Sequence, residues 1–433
     1  MWNVLLDVTV VEGPFLITVY VLAAAAFVYL LGRSRTASWV FQVIALLVVG
    51  ALLGIAVLWV AVMMLDAFGG PVSESAWFWV PAVFAGILLA VWNLWRSRWW
   101  RKLIALLAIP LFAFAGVLGV NAAYGIDRTL GDLLDIETAG PAPVPSPVPP
   151  EASDPAEPLY LTWQPPADLP DRGETGLVPG GIPATASGFD ARPAQIYLPP
   201  AALVENPPAL PLVIMMMGQP GEPDPYFIAQ TLDAFAADHA GLAPIALVVD
   251  QLGDPSEDPL CLDTARGNVE TYVMQDVVPW ARANLHVQDA PGSTIVAGYS
   301  NGGECAAYFG AKYPEVFGNI VSVAPVEWPG AERNAETLRD VFGGIQAAYD
   351  AVKPANIMAA KAPYPDSVAI FAVGDDDAAF APGTERLAEA AAAAGMQATF
   401  YAVPDAAHDA AALSGGLDEG FRILYPRLGL AAP

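Results

Sequence analysis

Basic residues are scarce in this 433-residue chain: 19 Lys and Arg stand against 45 Asp and Glu, for a formal net charge of −26. Phosphate contacts need Lys and Arg, so this balance excludes a nucleic-acid partner. Histidines number only three, which leaves few candidates for a general base. The two cysteines, Cys261 and Cys305, have no adjacent His and make a poor zinc site. Charged residues of both signs reach only 15%, while hydrophobic residues reach 55% and mean hydropathy is +0.44. Ordinary soluble domains are about 45–50% apolar, so a wholly soluble protein is not expected.

The shortage of charge is regional. Residues 1–126 carry six basic and four acidic side chains, a net of +2, so residues 127–433 carry the acidity, a net of −28. Four apolar runs without a formal charge fill the first region, at 15–31, 40–64, 77–95 and 103–124. Each is near the ~20 residues that a helix needs to cross a ~30 Å hydrocarbon core, which predicts four transmembrane helices and a lipid bilayer as partner. Nothing basic precedes Phe15, which is the wrong polarity for a cleaved signal peptide. Arg33 and Arg35 follow the first run, and Arg96, Arg98, Arg101 and Lys102 follow the third, whereas the second connection, from Asp66 to Ala76, is acidic. Positive loops stay inside, so the N-terminus and everything after Tyr124 are expected outside the cytoplasm. No ionisable residue lies within a run, so nothing suggests a proton or ion path and the region reads as an anchor.

Residues 127–158 read as a linker, because Ala139–Pro158 (AGPAPVPSPVPPEASDPAEP) lacks apolar periodicity and favours extended polyproline segments. From residue 159 to 433 the pattern is globular. Strand candidates at 195–198, 212–217, 245–250, 294–297, 320–324, 368–373 and 399–403 alternate with helix candidates at 225–237, 269–284, 303–312, 384–394 and 416–424. This alternation predicts an α/β fold, a mostly parallel sheet with helices on both faces.

One strand-to-helix junction carries chemistry. In STIVAGYSNGGECAAYF, Gly298, Ser300 and Gly302 form G-x-S-x-G, the pattern of a nucleophile elbow, where small neighbours allow a strained turn to lift the serine hydroxyl above the sheet. A serine nucleophile needs a base and a group to orient it, in the chain order Ser, acid, His for an α/β-hydrolase fold. His239 and His286 precede Ser300 and read as surface residues, which leaves His408, after the last strand, as base. Between them the strand 368–373 runs into Gly374-Asp375-Asp376-Asp377, three candidate acids. Oxyanion donors are expected from the N–H of Asn301 and from the loop Gly218-Gln219-Pro220-Gly221, where Pro220 has no N–H and Gln219 is the expected donor. No metal or cofactor is needed for such chemistry.

The segments RPAQIYLPP, PLVIMMMGQPG, GNVETYVMQDVVPWARANL, GYSNGG, YPEVFGNIVSVAP, VGDDD and VPDAAHD resemble the putative-esterase branch of the α/β-hydrolases, over about residues 191–424. That branch includes esterase-D-like enzymes and secreted mycolyltransferases. The resemblance implies ester hydrolysis or acyl transfer by Ser300, His408 and an acid of the Asp cluster. Relatives place that acid three residues after the strand-ending Gly, which selects Asp377, and two intervening residues let the loop turn back toward the His loop. Mycolyltransferases typically use Glu instead, and many relatives carry a Trp near the position of Ala410. An extracytoplasmic compartment permits a disulfide between Cys261 and Cys305, two buried thiols being the alternative. The expected protein is a membrane-anchored, extracytoplasmic serine esterase acting on an acyl ester of envelope lipid or wall glycan. The alternatives are an acyltransferase and a noncatalytic binding protein with a hydrolase fold. The sequence leaves oligomeric state open.

Overall fold

A computed structural model describes residues 5–34, 36–64, 72, 74–95, 97–125, 127–134, 136, 138–144 and 157–433. The chain divides into two compact units, Met1–Thr138 and Ala139–Pro433.

The first unit holds four long helices: α1 (Gly13–Leu31), α2 (Ala37–Trp59, continuing as a π turn through Val60–Met64), α3 (Glu74–Asn93) and α4 (Trp99–Tyr124). Their apolar windows have mean hydropathies of 2.2, 2.9, 1.8 and 2.6, and each helix is long enough to cross a membrane. Close backbone packing joins α2 to α3. Gly50 and Gly54 of α2 supply this: a Cβ on either would lie 2.6 Å from the Cα of Ala85 or Pro81 on α3. Where α1 ends, Arg101 donates to the carbonyls of Tyr29 (2.6 Å) and Leu30 (2.9 Å) and to Asn93 Oδ1 (2.9 Å), filling acceptors that a helix terminus leaves open. Arg101 and Lys102 therefore sit in the first turn of α4 instead of the preceding connection. Arg35, Arg96 and Asp66 lie outside the described residues.

The second unit is built on an eight-stranded sheet of order β1-β2-β4-β3-β7-β8-β9-β10. The strands are β1 (Glu174–Leu177), β2 (Gln195–Leu198), β3 (Leu212–Met216), β4 (Ile245–Val249), β7 (Thr294–Tyr299), β8 (Asn319–Val323), β9 (Val368–Gly374) and β10 (Gln397–Val403). A two-residue hairpin, β5 (Asp263–Thr264) with β6 (Gly267–Asn268), stands apart. From β4 to β10 every pairing is parallel, and β1 and β2 are antiparallel at one edge. β3, β4 and β8 are buried at every position, as strands covered on both faces must be. The helices that matter to the site are α5 (Tyr226–Asp238), α6 (Val278–Asn284), α7 (Asn301–Lys312), α8 (Ala381–Ala393) and α9 (Ala410–Arg427).

Three sequence expectations meet differences. The helix expected at 269–284 is broken into a short turn at Val269–Thr271, a π stretch at Tyr272–Val277 and α6, because Pro279 has no N–H to continue an α ladder. The linker is not free chain throughout: Leu130–Leu133 is a helical turn capped by Thr129, and Gly140–Ala142 lies along β1 with Ala142 N–H donating to the Leu177 carbonyl (2.9 Å). Residues 145–156 of it lie outside the described residues. The last helix starts at Ala410, six residues earlier than expected, because the Asp409 carboxylate accepts from the N–H groups of Ala411 and Ala412 and caps it.

Candidate active site

The parallel sheet points the carboxyl ends of β3, β4, β7 and β9 to one edge, where open α/β sheets hold their sites. At the end of β7 the chain reverses sharply into α7, and Ser300 takes φ 55° and ψ −115°, a positive-φ conformation that a residue with a Cβ rarely adopts. The turn is held by the Ser300 N–H, which donates to the Val323 carbonyl at 2.9 Å. Its two glycines are required by space. A Cβ on Gly298 would lie 1.9 Å from the Gly302 carbonyl oxygen, and one on Gly302 would lie 2.1 Å from that of Met216.

His408 precedes the cap of α9 and reaches Ser300 from across the sheet. Its Nε2 lies 2.9 Å from Ser300 Oγ and its Nδ1 2.9 Å from Asp377 Oδ2. A carboxylate opposite Nδ1 fixes that nitrogen as the donor, which leaves Nε2 free to accept the serine proton. Asp377 is 5% exposed, and its other oxygen accepts from the Phe380 N–H at 3.2 Å. The neighbouring acids do different work. Asp375 and Asp376 are exposed, and their backbone N–H groups donate to the Val403 and Ala406 carbonyls at 2.9 Å each, stitching the acid loop to the loop that carries His408. Two rings stack against the imidazole, Phe380 at 4.0 Å between centroids and 26° between planes, and Tyr299 at 5.2 Å and 30°.

Asn301 opens α7, where the first N–H groups of a helix have no carbonyl partner in the helix. Gly218 borders the same space, since a Cβ placed on it would lie 3.2 Å from Ser300 Cβ, and Gln219 follows it. The Gln219 side chain turns away, donating to the carbonyls of Pro255 (3.2 Å) and Glu257 (3.1 Å). Cys261 and Cys305 form a disulfide that fastens the 254–261 loop to α7.

The structure thus brings Ser300, His408 and Asp377 together and places Gly298, Gly302, Asn301 and Gln219 around them. His239 and His286 are elsewhere, and both are half-buried instead of on the surface; His239 packs beside Phe235 and Tyr425. Sequence reasoning did not single out Tyr299, Phe380 or Gln251. Gln251 was detectable in principle, because a polar residue just past a wholly apolar strand sits at the sheet edge where such sites form. Among the described residues no group of three or more His, Cys, Asp and Glu is arranged to hold a metal ion.

The family described as putative esterase matches residues 190–414. An uncharacterized protein of Corynebacterium glutamicum is 32% identical over 228 residues, which cover 51% of this chain and 54% of that protein. The chain therefore spans about half the length of the curated relative it matches. Among solved structures, an S-formylglutathione hydrolase from Agrobacterium tumefaciens aligns at 17% identity and a TM-score of 0.47, covering 60% of this chain and 98% of that one. A CE1 ferulic acid esterase from Anaeromyces mucronatus aligns at 16% identity and a TM-score of 0.41, covering 55% and 86%.

Proposed function

Because the chain belongs to the putative-esterase family, we propose that it is a serine hydrolase of carboxylic esters, anchored in a membrane by its N-terminal helices with the α/β unit outside the cytoplasm. The observation that carries this reading is the His408 imidazole, 2.9 Å from Ser300 Oγ on one side and 2.9 Å from Asp377 on the other. Ser300 Oγ attacks the ester carbonyl carbon while His408 Nε2 takes its proton, and the negative charge that develops on the carbonyl oxygen is held by the N–H groups of Asn301 and Gln219. As the tetrahedral centre collapses, the bond to the alcohol oxygen breaks and His408 returns the proton to it, leaving the acyl group on Ser300. Water then attacks with His408 again as base, releasing the acid and restoring the serine. Asp377 holds the imidazole in the working tautomer and stabilises the imidazolium.

Three observations support the compartment. Four helices are long and apolar enough to span a bilayer, the disulfide fits an oxidising environment, and the Lys and Arg of the short connections favour an N-terminus and α/β unit outside. A tethered enzyme there meets acyl esters of envelope lipids and wall glycans. An acyl-enzyme also allows transfer to a sugar or lipid hydroxyl in place of water.

The test uses the full chain in detergent. It is expected to hydrolyse 4-nitrophenyl butyrate, with turnover falling by at least about 10³-fold in Ser300→Ala. Reporter fusions after Thr129 are expected to be active outside and fusions near Arg98 inside. No hydrolysis above background by the wild-type chain would leave a noncatalytic binding protein as the reading, undiminished hydrolysis by Ser300→Ala would remove Ser300 as the nucleophile, and reversed reporters would overturn the compartment.

A further inference from the structure

The two N–H groups assigned to the oxyanion come from different parts of the chain, Gln219 after β3 and Asn301 at the start of α7. Each must lie within about 2.7–3.1 Å of the oxyanion, so their mutual spacing has to be fixed by something. A buried side chain joins the two segments. Gln251, 2% exposed and two residues past the end of β4, directs its Nε2 amide at both. The amide donates to the Met217 carbonyl at 2.6 Å, immediately before Gly218-Gln219, and to Asn301 Oδ1 at 3.0 Å.

The connection closes on itself. Asn301 Nδ2 donates to Asp258 Oδ1 at 3.1 Å, and the same oxygen accepts from the Leu260 N–H at 2.8 Å. The Gln219 amide grips this same loop at the Pro255 and Glu257 carbonyls. The result is a ring of hydrogen bonds running from Met217 through Gln251, Asn301 and the Asp258 loop back to Gln219. Each amide in it faces a partner it can satisfy, because Asn301 offers its oxygen to a donor and its NH2 to a carboxylate. The disulfide Cys261–Cys305 ties the loop to α7 on the far side.

We propose that Gln251 is a positioning residue for the oxyanion hole, setting the distance between the Gln219 and Asn301 amides, with Asp258 orienting Asn301 from the other side. The inference rests on the serine-hydrolase reading above. Gln251 touches none of the reacting atoms, so its loss leaves substrate binding intact and weakens only the interaction that forms as charge develops on the carbonyl oxygen. Loss of a whole oxyanion donor costs about 10²–10³ in turnover, and a displaced donor costs less.

Gln251→Met keeps the length of the side chain and removes the donor. In the full chain in detergent, kcat for 4-nitrophenyl butyrate per active site is expected to fall about 10–100-fold while KM stays within about twofold. Inhibition by an alkyl trifluoromethyl ketone, whose hemiketal oxyanion occupies the hole, is expected to weaken by a similar factor. Asp258→Ala is expected to act in the same direction by about 3–10-fold, and Asp258→Asn, which keeps an acceptor oxygen, to remain within about twofold of wild type. Active sites are counted by complete reaction with a fluorophosphonate, so a misfolded fraction does not enter kcat. If Gln251→Met does not fold, the two Asp258 variants decide. The proposal is overturned if Gln251→Met leaves kcat unchanged, raises KM alone, or lowers kcat without loss of ketone affinity, or if Asp258→Asn is as impaired as Asp258→Ala. Undiminished hydrolysis by Ser300→Ala is a different result, and it removes the serine-hydrolase reading itself.

Discussion

Glu304 lies on α7 one turn past Ser300, is 1% exposed, and has no hydrogen-bond partner at either carboxyl oxygen among the described residues. Burial, reinforced by the nearby carboxylates of Asp258 and Glu332, pushes its pKa well above the usual range. The folded chain therefore keeps a proton on Glu304 that the unfolded chain has released. Stability from this group is fully present below the pKa of the unfolded side chain, about 4.3, and is lost as pH rises toward the folded value. Over that interval the loss runs at about 1.4 kcal/mol per pH unit. Glu304→Gln keeps the shape and carries no proton to lose, although its unsatisfied amide costs about 1–3 kcal/mol at every pH. The informative quantity is thus the pH dependence of the difference between the two proteins. At about 2–4 °C per kcal/mol for a domain of this class, wild type is expected to lose about 3–6 °C of melting temperature per pH unit relative to the variant, between about pH 5 and the folded pKa of Glu304. Melting of the full chain in detergent, followed by tryptophan fluorescence from about pH 5 to about pH 8, measures this. Parallel curves for the two proteins, or a wild type that gains on the variant as pH rises, would show that Glu304 is not held protonated by burial.

Asp377→Asn is expected to lower kcat for 4-nitrophenyl butyrate by at least about 100-fold, whereas Asp375→Asn and Asp376→Asn, which keep the backbone bonds to the His408 loop, cost under about tenfold each. Near-normal turnover in Asp377→Asn would place the orienting acid elsewhere. The disulfide closes a separation of 44 residues, so Cys261→Ser with Cys305→Ser is expected to cost about 3–4 kcal/mol of stability, read as a fall of about 10 °C in melting temperature. An unchanged melting temperature would show that the covalent link adds nothing to the packing around it.

The sequence made some parts of this site legible and hid others for identifiable reasons. Ser300 stood out because an elbow needs small residues at 298 and 302, and the close approaches to Gly302 and Met216 show why no side chain fits there. His408 was legible by scarcity and chain order. The three aspartates are alike as residue types, and only the resemblance selected Asp377, by its place three residues after Gly374; in the structure the backbone bonds of Asp375 and Asp376 to Val403 and Ala406 leave Asp377 facing the imidazole. Tyr299 was in plain view within GYSNGG, but its ring position depends on a residue 109 places later, His408, so no local pattern reports it. Gln251 and Asp258 are similar cases, joined to Asn301 only through tertiary contacts. Strand β1 was missed because it is a four-residue edge strand whose one buried residue is Gly176, too short to show alternation. The apolar central strands had the opposite advantage, since burial on both faces writes itself into a continuous run.

The central claim is that Ser300 is the nucleophile of an acyl-transfer site. It is tested most directly by reacting the full chain in detergent with a fluorophosphonate and mapping the adduct by peptide mass spectrometry. A single phosphonylated residue, Ser300, is expected, with labelling abolished in Ser300→Ala and slowed by at least about 100-fold in His408→Ala, which lacks the base. An adduct on a different residue, or wild-type labelling of Ser300→Ala, would contradict it.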